Sequence, residues 1–477
     1  MKQVFLSLAS SFLVAACSTP VVYAPGNREG DAATGSIKAL PEVLRDAGGQ
    51  SIRLVFVHGV GDHCAGYAID PERGWLNDKT TQQIGLMRKG PRARYQRVSA
   101  SVFMTGNEDT GSYMETMTQS YSLQLAGAPS IDVEAIEITW SHTTQWLKSN
   151  YLGYDSPSAT KVGKPDPLKC EVPENSDVVP TVKRPPERLW LDRVIKEQVF
   201  DRRLSDAIIY AGTYGEVIER GVADALCRAM IETPVTEACA WARIDREADA
   251  SRSYFFVTHS LGSRIVYDTM LDLVGAGSPG RANKFEKDEW RLSRPVALQM
   301  IANTPAFYMM ANQLALLGLA NVPVRARSDE EPKPLFVKPD RASMSKTSPD
   351  LAAEASFNAA LAAAAECPNP MAAFARVKQL TQASKGIGPA SDAAPLRFVA
   401  FNDTNDLLTW HIPEWYATGR DNCRPPVELS NVFVRNAFPW LVIELPNDAH
   451  GNYFVNGKVW QAIRCGAKDG ALLDCAR

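Results

Sequence analysis

Short apolar runs alternate with amphipathic stretches along most of the chain from residue 51 onwards. Such runs are typical of strands that are buried on both faces of a parallel sheet. Apolar residues at helical spacing predict one or two helices within 189–232 and another at 263–274. The predicted strands are 52–57, 99–104, 133–139, 254–257, 296–301, 396–401 and 440–445. The alternation of strands and helices predicts an α/β fold with a mostly parallel central sheet flanked by helices.

Two segments have a different texture. Residues 17–50 are rich in Pro, Gly, Ala and Ser, which predicts a flexible tether. Residues 155–188 hold seven prolines and many polar residues, which predicts an exposed excursion. The rest of the chain, 51–477, is expected to form a single domain.

A third unusual segment, 325–394, begins with charged residues and prolines and continues into an alanine-rich stretch at 351–366. Alanine is the best helix former, so we expect a helix there and another at 371–384. The segment is predicted to be an insertion in the domain. It is either a lid or a decoration remote from any site.

The composition is that of an ordinary globular protein, because 45% of the residues are hydrophobic and 22% are charged. This balance argues against general disorder. The net charge of −3 leaves no basic field for nucleic acid, so we expect no nucleic-acid partner.

The N-terminal residues combine one basic residue with an apolar run that ends at a cysteine. Lys2 precedes the run, which is too short to span a membrane. Its end, Leu-Val-Ala-Ala-Cys at 13–17, resembles the lipobox in the signal peptides of bacterial lipoproteins. The resemblance implies removal of residues 1–16 and a lipid on Cys17. With Ser18 next, it also implies an address in the bacterial cell envelope, at the outer membrane facing the periplasm. A secretory signal that is cut elsewhere is the alternative.

The cysteine count fits this interpretation. The chain has nine cysteines, and a lipid on Cys17 would leave an even set of eight. In an oxidising compartment this set fits up to four disulfides. The nearest pairs, Cys227 with Cys239 and Cys465 with Cys475, are the simplest predictions. No CxxC motif occurs, so the sequence does not favour a zinc knuckle or a thioredoxin-like site.

The most informative motif is Thr-His-Ser-Leu-Gly at 258–262, between a predicted strand and a predicted helix. It resembles the nucleophile elbow, G-x-S-x-G, of the α/β-hydrolase superfamily, in which a tight turn lifts the serine hydroxyl above the sheet. The resemblance makes Ser260 the candidate nucleophile. Gly262 matches the motif, but Thr258 replaces a glycine, so we expect the turn to open slightly or to pack differently. An ordinary buried serine at a strand–helix turn is the alternative.

A second motif, His-Gly-Val-Gly at 58–61, directly follows the first predicted strand. In α/β-hydrolases this loop supplies one backbone N–H of the oxyanion hole, and the residue after the nucleophile supplies the other. The resemblance therefore implies the amides of Val60 and Leu261, with His58 in a structural role. A metal site at His58, Asp62 and His63 is the less favoured reading.

The superfamily places the acid and then the base after the nucleophile. Asp403 and Asp406 both follow the predicted strand 396–401. Asp406 precedes two leucines and is preferred, with Asp403 as the alternative acid. His450 lies in a loop beyond the last predicted strand and is the preferred base, with His411 second.

Together these motifs resemble a lipase-like or esterase-like serine hydrolase. The resemblance implies that Ser260 attacks an ester carbonyl, that His450 transfers the proton, and that Asp406 orients the imidazole. The implied chemistry requires no metal and no organic cofactor.

The sequence leaves the substrate and the activity open. A lipid ester and a small acyl ester are both allowed, and the aromatic and methionine residues at 307–310 either line an acyl pocket or belong to the core. An acyltransferase would use the same triad. A non-catalytic envelope lipoprotein of hydrolase-like fold, which binds a ligand or a partner, is the alternative from a different class.

Overall fold

A computed structural model describes most of the region from residue 36 onwards. Residues 1–17, which include the predicted signal peptide and Cys17, lie outside its described part, as do 155–188, 351–366 and 440–445. The described residues are 21–23, 36–48, 51–90, 93–103, 112–125, 129–152, 203–245, 251–274, 294–318, 370–384, 394–417, 427–436 and 446–474, with the single positions 196, 200 and 249.

The strands are numbered along the chain. They are β1 (Val21–Tyr23), β2 (Ser51–Val57), β3 (Leu86–Arg88), β4 (Arg94–Ser99), β5 (Tyr113–Leu123), β6 (Ile131–Thr139), β7 (Arg252–His259), β8 (Ala306–Met310), β9 (Leu396–Asp403), β10 (Val427–Val434), β11 (Ala467–Lys468) and β12 (Ala471–Leu472).

The α-helices fall mainly between these strands. They are α1 (Leu40–Ala47), α2 (Asp78–Ile84), α3 (Ala100–Phe103), α4 (His142–Leu152), α5 (Ser205–Ala211), α6 (Gly215–Met230), α7 (Leu261–Leu273), α8 (Arg294–Ala302), α9 (Leu314–Gly318), α10 (Pro370–Ser384), α11 (Pro446–Gly451) and α12 (Gly457–Cys465). Within the described part of the chain, no helix is long and apolar enough to cross a membrane.

The central sheet has the order β1-β10-β9-β8-β7-β2-β6-β5-β3, and β4 also pairs with β5. The six strands from β10 to β6 are parallel, whereas β1 and β5 are antiparallel to their neighbours. The carboxyl ends of the parallel strands therefore meet at one edge, which we call the carboxyl edge. The chain reverses direction across the sheet at β2, which has β6 on one side and β7 on the other. Open α/β sheets bind ligands beside such a point.

The sheet is buried on both faces, which explains the continuous apolar runs. Successive side chains of a strand point to opposite faces, so Phe255 and Phe256 belong to different cores. On one face Phe256, Phe307 and Phe398 stack across three strands, with ring centroids 4.8 and 5.2 Å apart. The α/β fold with a mostly parallel sheet is confirmed.

Two predicted strands were wrong. Residues 296–301 belong to helix α8, in which Val296, Ala297, Met300 and Ile301 are buried with helical spacing. A short apolar run does not by itself distinguish a strand from a buried helix. Residues 99–104 begin at the last residue of β4 and continue into α3.

Several observed strands were not predicted. β5 and β10 contain Glu, Gln, Ser and Asn among their apolar residues, so they lack a continuous apolar run. β8 contains residues 307–310, which are buried strand residues of the two cores.

The described parts of the predicted tether and of the predicted insertion belong to the folded domain. Within 17–50, β1 pairs with β10 and α1 packs its Val43 and Leu44 into the core. Within 325–394, α10 buries Met371 and Phe374 against the sheet and packs on α8. That part of the segment is a core helix and not a lid.

The predicted disulfide between Cys227 and Cys239 is confirmed, with an S–S distance of 2.02 Å. It ties the last turn of α6 to the loop that follows. Cys64 and Cys465 are also in disulfide form. The predicted pairing of Cys465 with Cys475 involves a residue outside the described part of the chain.

Helix α10 carries a buried lysine, Lys378, whose Nζ donates to the carbonyl oxygen of Thr304 at 2.8 Å. Burial, together with the charge of Arg397, lowers the pKa of Lys378 to about 7, and Glu428 only partly opposes this shift. The unfolded chain, with a lysine pKa of 10.5, therefore binds more protons than the folded chain between these two values. The free energy of unfolding should rise with pH across this window.

We expect the Lys378→Met variant to lose this pH dependence, since it removes the titrating group and keeps the apolar stem. The difference in unfolding free energy between wild type and variant should grow with pH from 7 upwards, by at most about 1.4 kcal/mol per unit for one proton. Denaturant titrations at several pH values measure it, with the exposed Lys79→Met variant as the control. Parallel pH curves for wild type and the Lys378→Met variant would contradict the prediction.

Candidate active site

Ser260 lies at the turn between β7 and α7, in a backbone conformation that residues other than glycine rarely adopt. Its φ is 52° and its ψ is −124°. Such a conformation costs on the order of 1–3 kcal/mol and persists only where the surroundings hold it. The amide N of Ser260 donates to the carbonyl oxygen of Met310 at 2.8 Å, and its carbonyl oxygen accepts from the N–H of Ser263 at 3.1 Å. A contact to the end of β8 and a contact within the first turn of α7 therefore hold Ser260 in this conformation.

Thr258, which departs from the superfamily motif, is accommodated by a hydrogen bond. Its Oγ1 lies 2.8 Å from the Oγ of Ser263, in the first turn of α7. The turn packs closely, since a Cβ at Gly262 would lie 2.4 Å from the carbonyl oxygen of His58. Thr258 is therefore accommodated in the turn, and the turn stays in close contact with the residue that follows β2.

The structure brings Ser260, His450 and Asp406 together. The Nε2 of His450 lies 3.0 Å from the Oγ of Ser260, and its Nδ1 lies 2.9 and 2.8 Å from the two carboxylate oxygens of Asp406. All three residues are buried. Because the carboxylate accepts at Nδ1, the proton of the neutral imidazole is assigned there, and Nε2 is left to accept the serine proton.

Asp406 is held by two further donors. The backbone N–H of Leu408 donates to its Oδ1 at 2.9 Å, and the hydroxyl of Tyr453 donates to its Oδ2 at 3.2 Å. Tyr453 also accepts the backbone N–H of Asp403 at 2.7 Å. A single tyrosine hydroxyl therefore links the end of β9 to the preferred acid.

The alternative acid, Asp403, has a different set of partners. It accepts the backbone N–H groups of Asn405, at 2.9 Å, and of Asn436, at 2.5 Å. These contacts join the loop after β9 to Asn436, two residues beyond the end of β10. His411, the second candidate base, is exposed.

The His-Gly-Val-Gly loop lies directly against the nucleophile. A Cβ at Gly59 would lie 2.5 Å from the Cβ of Ser260, so only glycine fits there. Val60 follows in the same loop, and Leu261 is the first residue of α7; both are buried. The two residues predicted to supply the oxyanion donors therefore lie next to the nucleophile. Val60 is in the loop after β2, and Leu261 is in α7.

His58 has a structural role. Its Nδ1 lies 2.7 Å from the carbonyl oxygen of Gly59, and its Nε2 accepts the backbone N–H of Trp140 at 3.0 Å. Its ring also stacks on the indole of Trp140, with centroids 4.9 Å apart. Burial, with the charge of His63, lowers the pKa of His58 well below its usual value. Both ring nitrogens are engaged by the backbone, which argues against the metal reading. No group of three or more ligating side chains among the described residues could hold a metal ion.

A buried carboxylate that the sequence did not reveal holds the end of this loop. Asp206, on α5, accepts the N–H of Gly61 at 2.8 Å and the hydroxyl of Thr144 at 2.7 Å. The Nζ of Lys148 lies 3.1 Å from the same carboxylate and 3.4 Å from Asp62. Burial acts to lower the pKa of Lys148, but the charges of Asp206 and Asp62 outweigh it, and the pKa is raised.

His259, the residue before the nucleophile, contacts the backbone of the candidate base. Its Nε2 donates to the carbonyl oxygen of His450 at 2.7 Å. Burial, with the charge of His450, lowers the pKa of His259 well below its usual value, so the ring stays neutral. Its edge packs against Trp75 and Phe454. The Thr-His-Ser-Leu-Gly motif does not predict this contact between His259 and His450.

Comparison of the chain with protein-family models, with curated proteins and with solved structures finds no match. The assignment of a function therefore depends on the geometry of these residues.

The Asp206–Lys148 pair yields a prediction about stability. The Asp206→Ala variant leaves Lys148 buried beside only the more exposed Asp62, and loss of one partner of a buried pair typically costs about 3–5 kcal/mol. We expect a loss of this size in the free energy of unfolding.

Two matched variants test the cause. Replacing both residues, in the Asp206→Ala/Lys148→Met variant, should recover much of the loss because no buried charge is left alone. The Asp62→Ala variant should lose less, because Lys148 keeps Asp206. Equal losses in the single and double variants of Asp206 would show that the buried charge is not the cause.

Proposed function

We propose that the protein is a serine hydrolase that cleaves a carboxylic ester through a covalent acyl-enzyme. The proposal depends on two buried contacts. The Oγ of Ser260 lies 3.0 Å from the Nε2 of His450, and the Nδ1 of His450 lies 2.8 Å from the Oδ2 of Asp406. A surface coincidence would not combine these distances with a strained serine conformation and three buried partners.

In the proposed reaction, the Oγ of Ser260 forms a bond to the ester carbon as His450 Nε2 takes the serine proton. The tetrahedral oxyanion accepts hydrogen bonds from the backbone N–H groups of Val60 and Leu261. Because these donors are already in place, they lower the activation barrier of the attack. The carbon–oxygen bond to the alcohol then breaks, and the alcohol leaves with the proton from His450. Water, deprotonated by the same imidazole, releases the acid and regenerates the serine.

Each supporting contact has a role in this proposal. Asp406 holds the tautomer of His450 and stabilises the imidazolium that forms. Asp206 fixes the loop that carries Val60, and His259 fixes the backbone of the base. These last two act through other residues and are positioning residues.

The alternative of a non-catalytic binding protein is less well supported, because the base lies within hydrogen-bond reach of the nucleophile. The proposal extends to the envelope: Cys17 would carry a lipid and anchor the enzyme at the outer membrane. This part is supported by the N-terminal sequence.

Labelling by a fluorophosphonate probe tests the nucleophile. The wild-type protein should form a covalent adduct on Ser260, because the neutral imidazole activates its hydroxyl. The Ser260→Ala variant should not react, and the Ser263→Ala variant is the matched control. Intact-mass spectrometry and peptide mapping measure the adduct. Equal labelling of the wild type and the Ser260→Ala variant would refute the assignment.

The two acids give a second prediction. The Asp406→Asn variant should lose about 10³–10⁴-fold in kcat towards p-nitrophenyl esters, because an amide favours the wrong imidazole tautomer. The Asp403→Asn variant should lose far less, since Asp403 contacts backbone N–H groups and not the imidazole. Unfolding curves of both variants control for stability. A larger loss of kcat in the Asp403→Asn variant would reverse the assignment.

A further inference from the structure

The register of β1 brings the N-terminal segment to the carboxyl edge. β1 runs antiparallel to β10, and Val21 pairs with Phe433. Phe433 in turn pairs with Asn402, one residue before the end of β9. Because neighbouring strands lie about 4.8 Å apart, the backbone of Val21 is roughly 10 Å from the strand whose loop carries Asp406.

The chain between Val21 and the predicted lipid attachment site is short. Only four residue steps separate Cys17 from Val21. A fully extended chain spans about 3.3–3.6 Å per residue, so these steps reach at most about 14 Å. A lipid on Cys17 that enters a bilayer therefore brings the end of β10 close to the membrane surface.

Exposed apolar side chains lie at the same edge, beside the triad. Among the described large hydrophobic residues, Val455 and Leu407 are the most exposed, at 72% and 69%. Leu407 directly follows Asp406, and Trp410 in the same loop is 41% exposed. This loop is tied to the end of β8 by the amide of Asn312, which donates to the carbonyl oxygen of Trp410 at 2.8 Å.

Val455 lies between α11 and α12. It follows Phe454, and the side-chain amide of the next residue, Asn456, donates to the carbonyl oxygen of Arg435 at 3.1 Å. Arg435 directly follows β10, the strand that pairs with β1. The exposed valine therefore lies beside the strand end to which the N-terminal segment is attached.

We propose that the carboxyl edge faces the leaflet that holds the Cys17 lipid, with Leu407, Trp410 and Val455 in contact with its surface, and that the substrate is an acyl ester of a lipid in that leaflet. The proposal rests on the proposed hydrolase function for its substrate and on the fold alone for its orientation. Tryptophan and aliphatic side chains at a membrane interface add apolar contact, which can orient a protein that a lipid anchor already holds at the surface. The anchor holds the enzyme at a high local concentration beside its substrate, so a small apolar contact suffices to orient it.

Fluorescence quenching tests the orientation without reference to catalysis. The full lipidated chain is reconstituted in vesicles of phosphatidylethanolamine and phosphatidylglycerol, with a fluorophore attached through Val455→Cys. The control fluorophore is attached through Met87→Cys, because Met87 is 53% exposed on β3, near the opposite edge of the sheet. Spin-labelled lipids should quench the label at 455 more strongly than the label at 87. Equal or stronger quenching at 87, or a chain without lipid on Cys17, would overturn the proposal.

Turnover tests the substrate class. The measured quantity is the hydrolysis rate of vesicle phospholipid divided by that of p-nitrophenyl acetate in solution. This ratio should fall roughly tenfold or more in the Leu407→Asp/Val455→Asp variant, given the loss of two apolar contacts. It should be unchanged in the Met87→Asp variant, whose substituted residue lies near the opposite edge.

The outcomes separate the two proposals. A wild-type protein that hydrolyses the soluble ester but not vesicle phospholipid, or an unchanged ratio in the first variant, would overturn the lipid-substrate proposal and leave the hydrolase function standing. A wild-type protein that hydrolyses neither substrate and resists the fluorophosphonate would refute the hydrolase function, while the quenching result would still decide the orientation.

Discussion

The backbone of the β7–α7 turn lies against the end of β2 at a distance that no side chain would allow. A Cβ at Gly59 would collide with Ser260, and a Cβ at Gly262 would collide with the carbonyl oxygen of His58. This close approach holds Ser260 in its strained conformation and brings the His-Gly-Val-Gly loop beside it. The parallel pairing of β2 with β7 keeps the two segments in register. The geometry of the site therefore depends on two glycines and on the order of the central strands.

The loops at this edge are held by buried polar groups that bind backbone atoms. Asp206 binds the N–H of Gly61, Asp403 binds that of Asn436, and His259 binds the carbonyl oxygen of His450. Burying such groups is costly unless each finds a partner. Once they are partnered, each contact holds one segment of the candidate site against another part of the chain. Three segments that are far apart in the chain thus keep a fixed arrangement.

The fold was predictable to the extent that burial leaves a local pattern. The parallel strands β2, β6, β7 and β9 have apolar residues on both faces and were recognised as runs. β5 and β10 carry polar residues among their apolar ones and were not recognised. Residues 296–301 show the remaining ambiguity, since four buried apolar residues suited either a strand or one face of a helix. Packing on α7 and α10 decides for the helix.

The sequence by itself determined the α/β class and the local conformation around Ser260, because the elbow and the glycine loop are built from neighbouring residues. It also restricted the acid to Asp403 or Asp406 and favoured His450 as the base. Only the tertiary structure decided which aspartate meets the imidazole, and it alone revealed Asp206, His259 and the pairing of β1 with β10. These contacts join residues that are from 44 to 412 positions apart. No local pattern encodes such distances, because they follow from the order of strands in the sheet and from which loops this order brings to one edge.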